Sequence, residues 1–401
     1  MTTEPGSPSF DDTAIAFSSK TDRELRKASW LFRLMGNAAI VDIGSHFTRL
    51  ALQMGLPVKS LVKKTIYQHF CGGESLEETP PAISRLAEQG VSTILDYGVE
   101  GVDSEEDFER NVEEQIRAIY FADGNPNVPY ISCKVTGYAP FTLLERANTG
   151  QPLGPEDTAA MERLRRRLQR ICEAAVSLDV AVYVDAEESW IQDTIDRLCD
   201  ELMVKYNRGK PSIFTTIQLY RHDRLDFLRS CLERARDEGW ILGVKLVRGA
   251  YMEKERARAA EHGYPSPIHP DKASVDADFD AATRHCLAHI DHVAFCAATH
   301  NEHSCRLLVE AARDHGVDIR HPHLHFAQLY GMSDHISFNL AKAGFNASKY
   351  VPYGPVQEVV PYLIRRAREN RSIAGQVSRE LRLVQEEMER RRLPPALTQE
   401  E

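Results

Sequence analysis

Two arginines stand side by side near the end of the chain, in KYVPYGPVQEVVPYLIRRAREN, residues 349–370. Paired guanidinium forks can hold a carboxylate or phosphate through charge-assisted hydrogen bonds. At helical spacing Glu358, Tyr362, Arg365, Arg366 and Glu369 share a face opposite Val359, Val360, Leu363, Ile364 and Ala367. Glu369, at i+3 and i+4, would orient both arginines and offset their repulsion. An arginine pair beside an acid is by default a solvated face, but here Tyr362 shares the face and Tyr350 precedes it. Other charges stand late in apolar runs: Lys134 in YISCKVT, Asp185 in AVYVDAE and Lys245 in ILGVKLVRG. Buried charges need partners, so Lys134 and Asp185 either plug an interior as an ion pair or face a ligand; both readings stand. Lys245 alternates with Gly243, Val247 and Gly249, which sets a cation among small residues that a ligand can approach.

The elements that must position these groups repeat. Short β-like runs cover 91–98, 130–136, 181–187, 212–220, 241–249, 292–300, 323–331 and 347–354, with amphipathic helical stretches between most of them. Eight strands alternating with helices predict an α/β fold, a (βα)8 TIM-like barrel, in preference to an open doubly wound sheet. Such barrels build active sites at the C-terminal strand ends. Here Asp96, Lys134, Asp185, Gln218, Lys245, Thr299 with His300, Gln328 and Tyr350 all come late in their runs. Eight such strand positions suggest one ring of groups converging on a cavity. The expected organisation is a tail and helical arm over 1–89, with residues up to about 12 disordered, the barrel over 90–375, and a C-terminal helix and tail over 376–401. Within the arm, SHFTRLALQMG reads as a helix, and Ser75 with Glu78 has capping-box spacing.

The chain has 401 residues and a net charge of −10, which argues against a general nucleic-acid binder. No apolar run approaches a membrane span, and the polar, acidic start fits neither an export signal nor a transit peptide. Eight scattered cysteines without a C-x-x-C pair read as buried free thiols. No Rossmann fingerprint, P-loop or nucleophile elbow is present. His321, His323 and His325 alternate as metal ligands on a strand could, yet they open the seventh strand, the wrong end for a barrel's active site.

VKLVRGAYMEKER, ATHNEHS, QLYGMSDHISF and YVPYGPVQEVVPYLIRRARENRS, with TILDYGVEG and VDAEES before them, strongly resemble the proline dehydrogenases over about residues 75–375. The likeness is to the monofunctional, eukaryote-like branch. It implies oxidation of L-proline to Δ1-pyrroline-5-carboxylate on a barrel carrying non-covalent FAD, with electrons passed to membrane quinone. By that resemblance Arg365 and Arg366 clamp the substrate carboxylate beside Glu369, and Tyr350, Tyr362, Tyr251 and Leu329 wall the ring. Lys134 and Asp185 lie near flavin and substrate, and Glu100 gates the first arginine. Gln218, Val247, Gly249, Thr299, His300 and Asn301 fall on flavin contacts. Lys245 stands beside flavin N5, where bifunctional bacterial members have arginine. Met252 replaces an aromatic residue next to the adenine, and Lys272 matches a phosphate contact without the threonine expected before it. No residue is an obvious base for the substrate amine.

A sister activity, hydroxyproline dehydrogenation, has a smaller residue where Tyr350 stands, so proline is expected. A metal-dependent barrel hydrolase using the histidine string and a non-catalytic carboxylate-binding barrel are the rivals from other classes. The expected location is the bacterial cytoplasm, peripheral to the inner membrane. Leu381, Val384 and Met388 on the last helix could serve that contact, an oligomer interface, or packing onto the barrel.

Overall fold

The computed structural model describes residues 8–35, 62–99, 103–372 and 376–394. Its strands are β1 (Ser92–Tyr97), β2 (Tyr130–Cys133), β3 (Ala181–Val184), β4 (Ile213–Gln218), β5 (Leu242–Val247), β6 (Val293–Ala298), β7 (Leu324–Leu329) and β8 (Ala347–Tyr353). They close into a barrel in sequence order, and neighbours from β1 to β7 pair in parallel. Every expected strand is there, trimmed at its ends. The trimming has a consequence: Lys134 and Asp185 stand just beyond β2 and β3 rather than inside them.

The helices are α1 (Thr13–Ala16), α2 (Asp22–Met35), α3 (Pro80–Ala87), α4 (Glu105–Ala122), α5 (Phe141–Asn148), α6 (Pro155–Ser177) and α7 (Ser189–Tyr206). They continue with α8 (Arg224–Glu238), α9 (Met252–His262), α10 (Lys272–Ala288), α11 (Glu302–Asp314), α12 (Asp334–Lys342), α13 (Val356–Ser372) and α14 (Gln376–Arg390). The chain divides into two compact units. The larger comprises Ser92–Tyr97 and Gly101–Ala327; the smaller takes in the segment up to Val91, Gly98–Glu100 and the chain from Gln328 onward.

In the larger unit the strands are largely buried on both faces, as parallel strands covered by helices must be. β4 is buried throughout, and β5 and β6 are buried except at their last residue. Gly243 is explained by this packing: a Cβ there would lie 2.3 Å from the Ile213 carbonyl oxygen and 3.0 Å from the Phe214 ring. It therefore serves the contact between β4 and β5 rather than a ligand's approach. The start of β7 shows what the histidines do. His325 meets the Tyr130 hydroxyl through Nε2 at 2.8 Å, and His323 Nδ1 lies 2.7 Å from the Ile290 carbonyl. Burial pushes His325 down to about 4, so it stays neutral at physiological pH. Outside the strands, Arg167 on α6 is buried and binds Glu109 at 2.7 Å and the Tyr138 carbonyl at 2.9 Å, which ties α6 to α4.

In the smaller unit the apolar stripe of α14 is already covered. Leu383, Val384 and Met388 are buried in one cluster with Leu25, Ala28, Leu31 and Phe32 of α2, and Leu381 packs against it. The last helix thus spends its apolar face on the first long one, not on a membrane. Arg391 reinforces the pairing, donating to the carbonyls of Lys20 at 2.7 Å and Phe17 at 2.9 Å. Disorder up to residue 12 holds for none of the described part: Phe10 is buried, and Asp12 caps α1 by accepting from Ile15 N at 3.0 Å. Residues 1–7 and the SHFTRLALQMG segment lie outside the described residues. The capping box at Ser75 and Glu78 is not formed. A 3-10 turn over Leu76–Glu78 intervenes, α3 starts on proline, and Glu78 accepts instead from Glu74 N at 3.0 Å. All eight cysteines are buried and free.

Candidate active site

The larger unit assembles four of the expected charges at the ends of β1, β2, β3 and in β5. Asp185 accepts from Lys245 at 2.5 Å and from Lys134 at 3.1 Å. Lys134 also stands 3.7 Å from Asp96, which accepts from the Ser132 hydroxyl at 2.7 Å. Two carboxylates and two ammoniums form a quartet with no net formal charge, so burial leaves no ion uncompensated. Lys245 is nearly sealed at 6% side-chain exposure, whereas Lys134 keeps 20% and Asp185 14%. The group is thus not fully sealed: Lys134 and Asp185 stay partly exposed. Burial raises Asp96 above the ordinary carboxylate range, with Lys134 pulling the other way.

Residues with less obvious sequence signals hold this group in place. Gln218 pairs in register with Val247 and donates to the Glu187 carbonyl at 2.7 Å. The Glu187 carboxylate in turn accepts from Thr136 N at 3.1 Å and Thr136 Oγ1 at 2.6 Å, fixing the turn that follows Lys134. Burial pushes Glu187 up to about 7, against the pull of Thr136. A carboxyl whose folded value exceeds its unfolded one contributes stability in full at low pH and loses it as pH rises through about 7. Glu187→Gln mimics the protonated form, since its amide can accept from Thr136 N and donate to Thr136 Oγ1. Urea unfolding between pH 5 and 8.5 should show wild-type stability falling by about 3 kcal/mol across this window, with the Gln variant nearly flat. Parallel pH profiles would remove Glu187 as their cause.

At the ends of β5 and β6 a second polar group forms around Arg248. Its guanidinium binds Asp276 at 2.7 Å, Thr299 Oγ1 at 2.6 Å and Ser304 Oγ at 2.8 Å, and lies 4.3 Å above the Phe279 ring. Thr299 also accepts from Asn301 N at 3.1 Å, and Asn301 caps α11 through His303 N and Ser304 N; His300, half-buried, stands between the two. Gly249 has φ of 129°, and a Cβ there would fall 2.5 Å from the Tyr220 ring, so only glycine fits. Tyr251 and Met252 open α9; Met252 is exposed, and Lys254 lies over the Tyr251 ring at 5.4 Å. Lys272 opens α10 and pairs with Asp276, the acid that also holds Arg248. Glu187, Arg248 and Tyr220 went unassigned in the sequence, although VDAEES and VKLVRGAYM contain the first two.

In the smaller unit Tyr350 is buried on β8, and Tyr330 N donates to its carbonyl at 2.9 Å. Tyr362 departs from the expected polar face: it is 4% exposed and sits in the cluster with Val356, Val359 and Leu363, against which Leu329 also packs. Arg365 follows on α13, half-buried; Arg366 and Glu369 lie on the same helix, with side chains outside the described set, as is Glu100. Gln328, expected in the polar ring, accepts from the Ser337 hydroxyl at 2.7 Å.

The family model for proline dehydrogenase matches residues 80–379. This chain belongs to the proline dehydrogenase family. Among curated relatives, proline dehydrogenase 1, mitochondrial, of Arabidopsis thaliana is 31% identical over 434 residues, covering 95% of this chain and 86% of that protein. The carbapenem antibiotics biosynthesis protein CarD of Pectobacterium carotovorum subsp. carotovorum is 34% identical over 323 residues, covering 80% and 83%. Among solved structures, proline utilization A from Bdellovibrio bacteriovorus, inactivated by N-propargylglycine, superposes with a TM-score of 0.70 at 21% identity. It covers 91% of this chain, and the chain spans only 38% of its length, so it speaks for the barrel alone. For a proline dehydrogenase family member the expected barrel is thereby established.

Membership of this family implies FAD as a cofactor. The strand ends of β4 to β6 offer donors suited to flavin carbonyls and phosphate oxygens: the Gln218 amide, the Lys245 ammonium, the Thr299 hydroxyl and Asn301. The donor types fit the group; Gln218 already donates to the Glu187 carbonyl, Lys245 is held by Asp185, and Lys272 by Asp276.

Proposed function

We propose that this chain oxidises L-proline to Δ1-pyrroline-5-carboxylate with non-covalent FAD as the first acceptor and membrane quinone as the next, from the bacterial cytoplasm at the inner membrane. The observation that carries this reading is the Asp96–Lys134–Asp185–Lys245 quartet, a partly open group of fixed charges at the strand ends, in a chain of this family. Bound FAD supplies acceptance of a hydride. Gln218, Lys245, Val247, Gly249, Thr299, His300 and Asn301 hold it, with Met252 at the adenine end and Lys272 on the phosphate side.

The protein's own part is placement, which can supply much of the barrier reduction in such transfers. Arg365 and Arg366, steadied by Glu369 and gated by Glu100, take the substrate carboxylate as a handle. Leu329, Tyr350, Tyr362 and Tyr251 exclude water from the ring. Lys245 keeps a positive charge where reduction adds negative charge, and Asp185 keeps Lys245 and Lys134 fixed. A buried tyrosine at position 350 leaves little room for a hydroxyl on the ring, which favours proline over 4-hydroxyproline. No helix among the described residues is long and apolar enough to cross a membrane.

The test is an anaerobic titration of the purified protein followed by flavin absorbance, with L-proline and trans-4-hydroxy-L-proline in parallel. Bleaching at lower proline concentration supports the reading. Bleaching by hydroxyproline alone would transfer the protein to the sister activity, and a colourless protein inert after added FAD would end it.

A further inference from the structure

The smaller unit contains a buried charge group that the proposed chemistry does not use. Lys349, immediately before Tyr350, has no solvent exposure; its ammonium binds Asp334 at 2.9 Å and donates to the carbonyls of Leu329 at 3.4 Å and Met332. Asp334 accepts a second ammonium, Lys20, at 2.8 Å. Although burial pushes the Asp334 carboxyl up, the two lysines hold it below its ordinary range, so it stays charged. Between Leu329 and Asp334 the chain makes a turn it would not adopt unaided. Gly331 has φ of 78°, and a Cβ there would strike the His69 carbonyl oxygen at 2.2 Å. Ser333 has φ of 51° and ψ of 42°, a left-handed conformation disfavoured for any residue with a Cβ. Its N–H donates to the carboxylate of Glu380, carried on α14.

Such a turn persists only where its surroundings over-determine it. Here Lys349 grips two of its carbonyls, Asp334 fixes Lys349, Glu380 grips its amide, and Tyr330 N binds the Tyr350 carbonyl at 2.9 Å. We propose that Lys349, Asp334 and Glu380 are positioning residues that set the turn from Leu329 to Ser333, and with it the placement of Leu329 and Tyr350, and so govern affinity and ring selectivity without touching substrate. The inference rests on the proposed role of Leu329 and Tyr350 as walls of the proline site.

Three variants test it. Lys349→Met keeps the stem and leaves Asp334 paired with Lys20. Glu380→Ala removes the acceptor, and Glu380→Gln restores one. Steady-state kinetics with L-proline should give a KM about tenfold higher for Lys349→Met and Glu380→Ala, kcat changed less than about twofold, and a reduced preference for proline over trans-4-hydroxy-L-proline. Glu380→Gln should return close to wild type. Amide hydrogen exchange over 329–333 should rise in the first two variants only. Unchanged KM and selectivity in variants that merely melt earlier would overturn the positioning role. A wild-type protein inert toward proline would remove the functional reading and this inference with it; an active wild type with unshifted variants removes the inference alone.

Discussion

Replacing Asp185 by alanine is expected to cost about 3–5 kcal/mol of stability and to strip most of the flavin from the purified protein. Asp185 is the member of the quartet that both lysines share, at 2.5 Å from Lys245 and 3.1 Å from Lys134. Removing it leaves Lys245 a nearly sealed ammonium without this carboxylate, and the cost is dominated by that stranded charge rather than by a lost attraction. Lys134 is affected less, because Asp96 stands at 3.7 Å and water reaches it. The urea midpoint and the visible absorbance of the variant check both parts. A loss under about 0.5 kcal/mol would mean that the four charges do not act as a unit.

The second large effect concerns substrate alone. Arg366→Met should lower kcat/KM for L-proline by roughly a hundredfold, mostly through KM, with the flavin content unchanged. Two charge-assisted hydrogen bonds to one carboxylate account for about 3 kcal/mol, which is that factor. Arg366→Lys should recover little of it, since a point charge on a flexible stem does not reproduce the planar fork. A KM rise below about threefold would place the carboxylate elsewhere.

The barrel was legible because each parallel strand is a short apolar run between longer amphipathic ones, a rhythm visible without any partner being known. Polar residues late in those runs were visible for the same reason, and four of them, Asp96, Lys134, Asp185 and Lys245, come together. What the pattern could not reveal was pairing across the barrel. Lys134 and Asp185 read as a pair, but Lys245, sixty residues further on, joined them only once the strands closed. Tyr362 was misplaced because helical spacing yields an angle around an axis and nothing about what packs there; the cluster that buries it includes residues from α2 and α14. Glu187 gave no signal beyond an acidic doublet, since its value is set by burial and by Thr136, which periodicity does not encode.

The union of α2 with α14 bears on how the protein is made. The carbonyls of Phe17 and Lys20 receive the guanidinium of Arg391, and the stripe through Leu25 and Phe32 is closed by Leu383 and Met388. A ribosome releases the first of these partners roughly 370 residues before the last, a delay of about 20–75 s at ordinary elongation rates. Until then the earliest long apolar stripe has only part of its cover, the Phe32 ring meeting His69 and the cluster offering Val62, Tyr67 and Phe70 from the segment that follows. The nascent chain is therefore a natural client for chaperones that shield emerging segments, and truncation before α14 should yield aggregates in place of a smaller soluble barrel.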